Sequence, residues 1–287
     1  MNRGSAPAGF PPPSVDWWIT SRCNLACDFC YGPTPGKDPV DLRDEILRSL
    51  KDSSVPVVTF CGGEPLLVRK VDEYAGILGN AGKRTVLNTN GELLARRHAQ
   101  GFQLRNFDLV GLSVEGSTAE THQAMRGARA SLADTLGAAE LVTAAGIQLK
   151  IGTVVSAVNA ADLPALARRV QGLRPAVWRL YQYSERGVQN VGQHRHRVAD
   201  QEFHRLAEQA ATLAAPVPVA SSAEAETAGC LIVDPSGAVL RPTDYGYAQC
   251  GNCLNEPLDD IWARIPGRSM ISVNKRWLSV LDQREQG

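Results

Sequence analysis

Asp16-Trp17-Trp18-Ile19-Thr20-Ser21-Arg22-Cys23-Asn24-Leu25-Ala26-Cys27-Asp28-Phe29-Cys30 decides how the rest of the chain folds. Its first residues are aromatic or β-branched around one acid, the composition of a buried strand. Three cysteines then fall within eight positions, in a loop at that strand's C-terminal end. Soft thiolates this close together can wrap one iron–sulfur cubane, and three of them leave one iron without a protein ligand. Zinc is the alternative, and a closed structural zinc site needs a fourth ligand from Cys61, Cys230, Cys250, Cys253 or a histidine. At seven cysteines in 287 residues, such a triple arises by chance about four times in a thousand.

Outward from this stretch, short apolar runs alternate with longer amphipathic ones, the βα rhythm of a parallel sheet or barrel. Strands are predicted at Asp16 to Thr20, Pro56 to Phe60, Arg84 to Asn88, Leu109 to Val114, Gln148 to Val155 and Ala176 to Tyr181. Helices are predicted at Asp41 to Lys51, Lys70 to Ala81, Glu92 to Gln100, Ser131 to Ala145 and Ala161 to Gln171, with Asp41 and Asp162 suited to helix starts. Regularity weakens after Tyr183. Gly187 to Arg197 reads as a polar loop, a solvated connector carrying His194 and His196. A further helix follows at Asp200 to Leu213, then a strand from Cys230 to Asp234, a Pro235-Ser236-Gly237 turn and a hairpin partner at Ala238 to Leu240.

Thirty basic and thirty acidic residues cancel, so no global field favours nucleic acid or a membrane surface. No run of about eighteen apolar residues occurs. Met1 to Pro13 is rich in Gly, Pro and Ala without an apolar core, the composition of a loosely packed segment rather than a signal peptide, so the cytoplasm is the expected compartment. The odd cysteine count and the long chain argue against a disulfide framework.

Cys23, Cys27 and Cys30 in a CxxxCxxC after a first strand, with Phe29 before the last cysteine and Gly62-Gly63-Glu64-Pro65 after the second strand, resemble the radical S-adenosylmethionine (SAM) superfamily. The resemblance runs from about Asp16 to Gln182. It implies an α/β fold: a partial (β/α)6 TIM-type barrel over 15–186, a loose segment at 1–14, and a short C-terminal α+β extension over 187–287 that covers the barrel mouth. It also implies a [4Fe–4S] cluster on the three cysteines and SAM on the open iron. Gly62 and Gly63 let backbone approach the methionyl amine, Glu64 anchors that edge, and Asn90 lies in a Thr89-Asn90-Gly91 turn. Ser113 matches a position that binds SAM ribose or carboxylate, and Arg126 the arginine that pairs with the carboxylate. Val154 or Val155 on the fifth strand, with Phe29 and Tyr31 from the cysteine loop, match adenine contacts.

The activity so implied is reductive cleavage of SAM to methionine and a 5′-deoxyadenosyl radical, which takes a hydrogen atom from an unreactive C–H bond. The electron comes from an external donor of the flavodoxin or ferredoxin type. The small size points to a small-molecule biosynthetic substrate such as a sugar, aminocyclitol or nucleotide, with a ribosomal peptide as the alternative. A non-catalytic Fe–S or zinc sensing protein is the reading of another class.

Three cysteines follow the barrel. Cys230 to Gly237 resembles the opening of a SPASM or twitch extension, so Cys230, Cys250 and Cys253 offer an auxiliary [4Fe–4S] cluster. Thr243, where a second cysteine is usual, weighs against it. Cys250, or Cys61 beside the glycine loop, is the residue expected to donate a hydrogen atom to a substrate radical. The plain reading is that these thiols are small buried hydrophobes. The strand around Arg179 weakly resembles viperin-like nucleotide dehydratases, in which Lys150 and Arg179 match basic positions that hold a triphosphate.

Overall fold

The computed structural model describes residues 13–34, 36, 38, 40–187, 189–222, 231–243, 246–265 and 280–281. Seven parallel strands run in chain order, β1 Val15–Thr20, β2 Val57–Gly62, β3 Arg84–Thr89, β4 Leu109–Ser113, β5 Gln148–Val155, β6 Val177–Gln182 and β7 Val219–Ser222. Between them lie α1 Arg43–Asp52, α2 Val71–Asn80, α3 Leu94–Ala99, α4 Ala119–Arg126, α5 Leu132–Ala144, α6 Leu163–Leu173 and α7 Asp200–Ala214. The chain then returns to the other edge. β8 Leu231–Val233 pairs parallel with β1, and β9 Ala238–Thr243 and β10 Gly246–Asn252 continue as antiparallel strands before α8 Leu258–Ala263. With β7 and β10 at its two ends, the sheet stays open, a partial barrel.

Strand alternation sorts residues to two faces. On the outer face Val58 and Phe60 of β2 pack with Ile46 and Leu50 of α1 and Tyr74 and Leu78 of α2 in the main core. Trp17 and Phe60 are fully buried, their ring centroids 5.3 Å apart. Removing either ring costs about 3–5 kcal/mol. The concave face is layered differently. Its lower end is apolar, with Val57, Val86, Leu109 and Val177 closed off by Val280 and Leu281. Gln148 Nε2 holds that plug by donating to the Val280 carbonyl at 2.7 Å. Toward the C-terminal ends of the strands the lining turns polar, with Asp16, Cys61, Asn88 and Lys150.

Several expectations change. The boundary at 187 is not structural, because β7 adds to β6 and β8 adds to β1, so the sheet continues through the expected extension. That extension does not act only at the mouth. Tyr247 donates to the Tyr31 carbonyl at 2.7 Å there, whereas Val280 and Leu281 plug the opposite end. The helix starts hold in part: the Asp41 carboxylate accepts from Arg43 N at 3.3 Å at the start of α1, and Asp162 directly precedes α6, although its carboxylate accepts from the backbone and hydroxyl of Ser117 rather than from the helix. The loop holding His196 is no solvated connector, since His196 and Asn190 are both fully buried. Residues 1–12 and Cys230 lie outside the described residues.

Candidate active site

The cysteine loop is fixed first at its root. Asp38 accepts from the Thr20 hydroxyl at 2.8 Å and from the Ser21 backbone and hydroxyl at 2.8 and 2.9 Å. Gly63 N donates to Thr20 O and Glu64 N to Arg22 O, each at 2.8 Å. This contact explains the glycine pair. A Cβ on Gly62, whose φ is +117°, would lie 2.6 Å from Thr20 O, and one on Gly63 would lie 2.0 Å from Arg22 O. The immediate reason for both glycines is therefore the approach of two protein backbones.

Glu64 completes the joint. Fully buried, its carboxylate accepts from Leu66 N at 2.9 Å, Thr89 Oγ1 at 2.7 Å and Asn90 N at 2.9 Å. Burial pushes its carboxyl upward against those three donors. Asn90 passes the constraint on, since its Nδ2 donates to Asn24 Oδ1 inside the cysteine loop at 2.8 Å. Glu92 accepts from Asn24 Nδ2 at 2.9 Å and from Ser131 N at 2.9 Å. The ends of β1, β2 and β3 thus hold the loop through hydrogen bonds rather than apolar packing.

Cys23, Cys27 and Cys30 line one cavity of about 220 Å³ together with Gly62, Gly63, Glu64, Asn90, Ser113, Arg126 and Val154. Backbone amides already point at two of the sulfurs, Leu25 N to Cys23 Sγ at 3.4 Å and Gly32 N to Cys30 Sγ at 3.3 Å. Burial pushes the Cys23 thiol up to about 11 and the Cys27 thiol to about 12, and raises Cys30 as well. Thiolates here need a cationic partner, which iron supplies. Three thiols around one cavity, two of them already met by backbone amides, fit a [4Fe–4S] cluster that keeps one iron open.

Above the cysteines, Arg126 at the end of α4 donates from Nη1 to Glu115 Oε1 at 3.0 Å, and its Nε is buried with no partner among the described residues. A guanidinium held on one side with an open donor on the other suits a carboxylate arriving from the cavity. Glu115 accepts the Val154 amide at 2.7 Å, tying the end of β4 to β5. Burial, opposed by Arg126 and that amide, pushes the Glu115 carboxyl up to about 7. Phe29 packs with Leu25, Met125, Ala130 and Tyr183 in an apolar cluster beside Val154. Tyr31 lines the cavity at its exposed rim.

The structure separates the remaining expected residues. Lys150 is 3% exposed and lines the cavity floor, donating to Asn88 Oδ1 at 2.7 Å across Gly111, where a Cβ would sit 2.4 Å from Lys150 Cε. Arg179 donates to Ser222 Oγ at 2.6 Å and is not among the cavity-lining residues. Cys250 lies on β10, packs against the main core and does not line the cavity; Cys61 does. Cys253 is buried, its sulfur beside Ser49. Sequence reasoning missed Glu115, whose only signal was an acid two residues past Ser113, and the partners of Asp28 described below.

An open parallel barrel with three loop cysteines and an adjoining polar cavity at the strand ends defines an enzyme that holds a cluster and a small cofactor together. The chain belongs to the radical SAM superfamily, whose family model matches residues 18–170. It uses a [4Fe–4S] cluster and SAM, and the sensing alternative falls away. The AdoMet-dependent heme synthase of Nitratidesulfovibrio vulgaris is 24% identical over 290 residues, covering 87% of this chain and 78% of that protein. The S-adenosylmethionine-dependent nucleotide dehydratase of Selenomonas ruminantium is 25% identical over 263 residues, covering 87% and 93%. The fold is shared with Streptococcus suis SuiB bound to S-adenosylmethionine, with TM-score 0.70 and 18% identity over 91% of this chain and 67% of that one. Among the described residues no helix is long and apolar enough to cross a membrane.

Proposed function

We propose that this radical SAM enzyme acts on a small biosynthetic molecule of the sugar, aminocyclitol or nucleotide kind, whose anionic group is received by Lys150. The carrying observation is the Lys150 ammonium, buried on the floor of the cavity that the cysteines also line. A compact charge in that position suits a phosphate or carboxylate. Relatives named for heme synthesis and for nucleotide dehydration are, by those names, enzymes of small molecules.

Bound together, the cluster and SAM supply one-electron chemistry that removes a hydrogen atom from an unreactive C–H bond. The chain's residues position and shield it. Cys23, Cys27 and Cys30 hold the cluster, and Arg126, steadied by Glu115, receives the SAM carboxylate. Asn90, Ser113, Val154 and the Gly62–Glu64 turn border the remainder of SAM, and Phe29 with its apolar neighbours keeps water from one side. A cytoplasmic flavodoxin- or ferredoxin-type donor delivers the electron.

A ribosomal peptide is the second reading, since the fold neighbours include SuiB bound to its precursor peptide. One experiment separates the two. Anaerobically reconstituted protein is given SAM, a strong reductant, and either metabolites fractionated by anion exchange or peptides, and 5′-deoxyadenosine is measured. Stimulation by the anionic metabolite fraction, lost in Lys150→Met, is expected. Stimulation by peptides alone overturns the proposal.

A further inference from the structure

Asp28 stands between two cluster cysteines and does not line the cavity, yet it anchors a polar network that reaches fully buried His196. Its Oδ1 lies 2.9 Å from His196 Nε2, and its Oδ2 pairs with the Arg195 guanidinium. An ionised carboxylate only accepts, so Nε2 carries the hydrogen and donates. On the other side of the ring, Nδ1 lies 2.9 Å from Ser156 Oγ, just past β5. The same stretch grips the next residue of the cysteine loop. Asn190 Nδ2 donates to Phe29 O at 3.1 Å and Ser184 O at 2.7 Å, while its Oδ1 accepts Gly187 N at 2.8 Å. The polar run after β6 is thus a folded brace, with fully buried His196 and Asn190 as its inner surface.

The brace holds one acid and one base at fixed places beside the cluster site. A carboxylate between two thiolate ligands opposes the arrival of an electron, and a guanidinium and an N–H donor on that carboxylate offset its field. We infer that Asp28, Arg195 and His196 are positioning residues that set the reduction potential of the cluster on Cys23, Cys27 and Cys30. The inference rests on that cluster assignment. It assigns a role in electron uptake to a loop whose composition alone resembles a solvated linker.

The test is an EPR-monitored reductive titration of the reconstituted protein without SAM, comparing wild type with Asp28→Asn and Arg195→Gln. Asp28 is 31% and Arg195 55% exposed, so both changes leave the core intact. Asp28→Asn is expected to raise the midpoint potential by about a tenfold change in the reduced-to-oxidised ratio, about 59 mV for one electron. Arg195→Gln is expected to lower it by less, because solvent screens a half-exposed guanidinium. Iron content should match wild type in both. Unmoved potentials, or shifts of the same sign in both variants, overturn the inference, since a role confined to holding the loop has no sign preference. A wild-type protein that takes up no cluster would overturn the cluster assignment itself, and the inference with it.

Discussion

Arg126 joins the cysteine loop to the end of β4, its carbonyl 3.5 Å from Cys27 Sγ and its guanidinium 3.0 Å from the Glu115 carboxylate. One residue therefore fixes the distance between a cluster ligand and the guanidinium proposed above to receive the SAM carboxylate. Removing the guanidinium in Arg126→Met should weaken SAM binding by at least tenfold, about 1.4 kcal/mol, while iron uptake persists. Calorimetric titration of SAM into the reconstituted variant checks this.

Glu115 gives that pair a pH dependence. Its carboxyl is raised from 4.5 to about 7 in the folded chain, so the native state holds the proton more tightly than the unfolded state. The resulting stability is fully present at low pH, below the unfolded value, and is lost as pH rises through the folded value. Melting of the cluster-free protein should fall from about pH 5 to about pH 8, with a shallower fall in Glu115→Gln. Equal slopes in the two proteins would contradict the buried, proton-holding state of Glu115.

Gly63→Ala should prevent cluster uptake, because the added Cβ would lie 2.0 Å from backbone that cannot yield without moving Arg22 and the loop behind it. Gly79→Ala is the matching control. Gly79 lies within α2 with nothing within 4 Å of an added Cβ, so the change should stabilise the protein by up to about 1 kcal/mol. Urea melts and iron assays of the two variants distinguish a local steric block from a general intolerance of alanine.

Glu64→Gln should destabilise the chain by about 1–3 kcal/mol, since an amide nitrogen facing the donors of Leu66, Thr89 and Asn90 leaves a buried group unsatisfied. A denaturation midpoint equal to wild type would contradict this view of Glu64 as the joint between the ends of β2 and β3.

Much of this architecture is legible in the sequence because strands on the concave sheet are dense in β-branched residues and the helices between them are amphipathic. β7 is less legible. Val219-Ala220-Ser221-Ser222 is short and half polar, and it is recruited by the exposed edge of β6 rather than by its own propensity. α4 hides for a similar reason, as Ala119–Arg126 buries only His122 and Met125. In the site, the cysteines and the glycine pair stand out because close spacing and missing side chains are local features. The brace does not stand out. A polar run reads as solvent-facing until the fold shows that His196 and Asn190 spend their hydrogen bonds on Asp28 and Phe29. Cys250 illustrates the converse, a reactive residue type that its place on β10 keeps from lining the cavity.

The most direct measurement is anaerobic reconstitution with iron and sulfide, followed by SAM and a strong reductant, with iron and 5′-deoxyadenosine quantified in wild type and in Cys23→Ala, Cys27→Ala and Cys30→Ala. About four irons per wild-type chain with 5′-deoxyadenosine formed, and both lost in each variant, is the predicted result. SAM cleavage that survives any of the three substitutions, or a wild-type protein that binds zinc and leaves SAM intact, would contradict it.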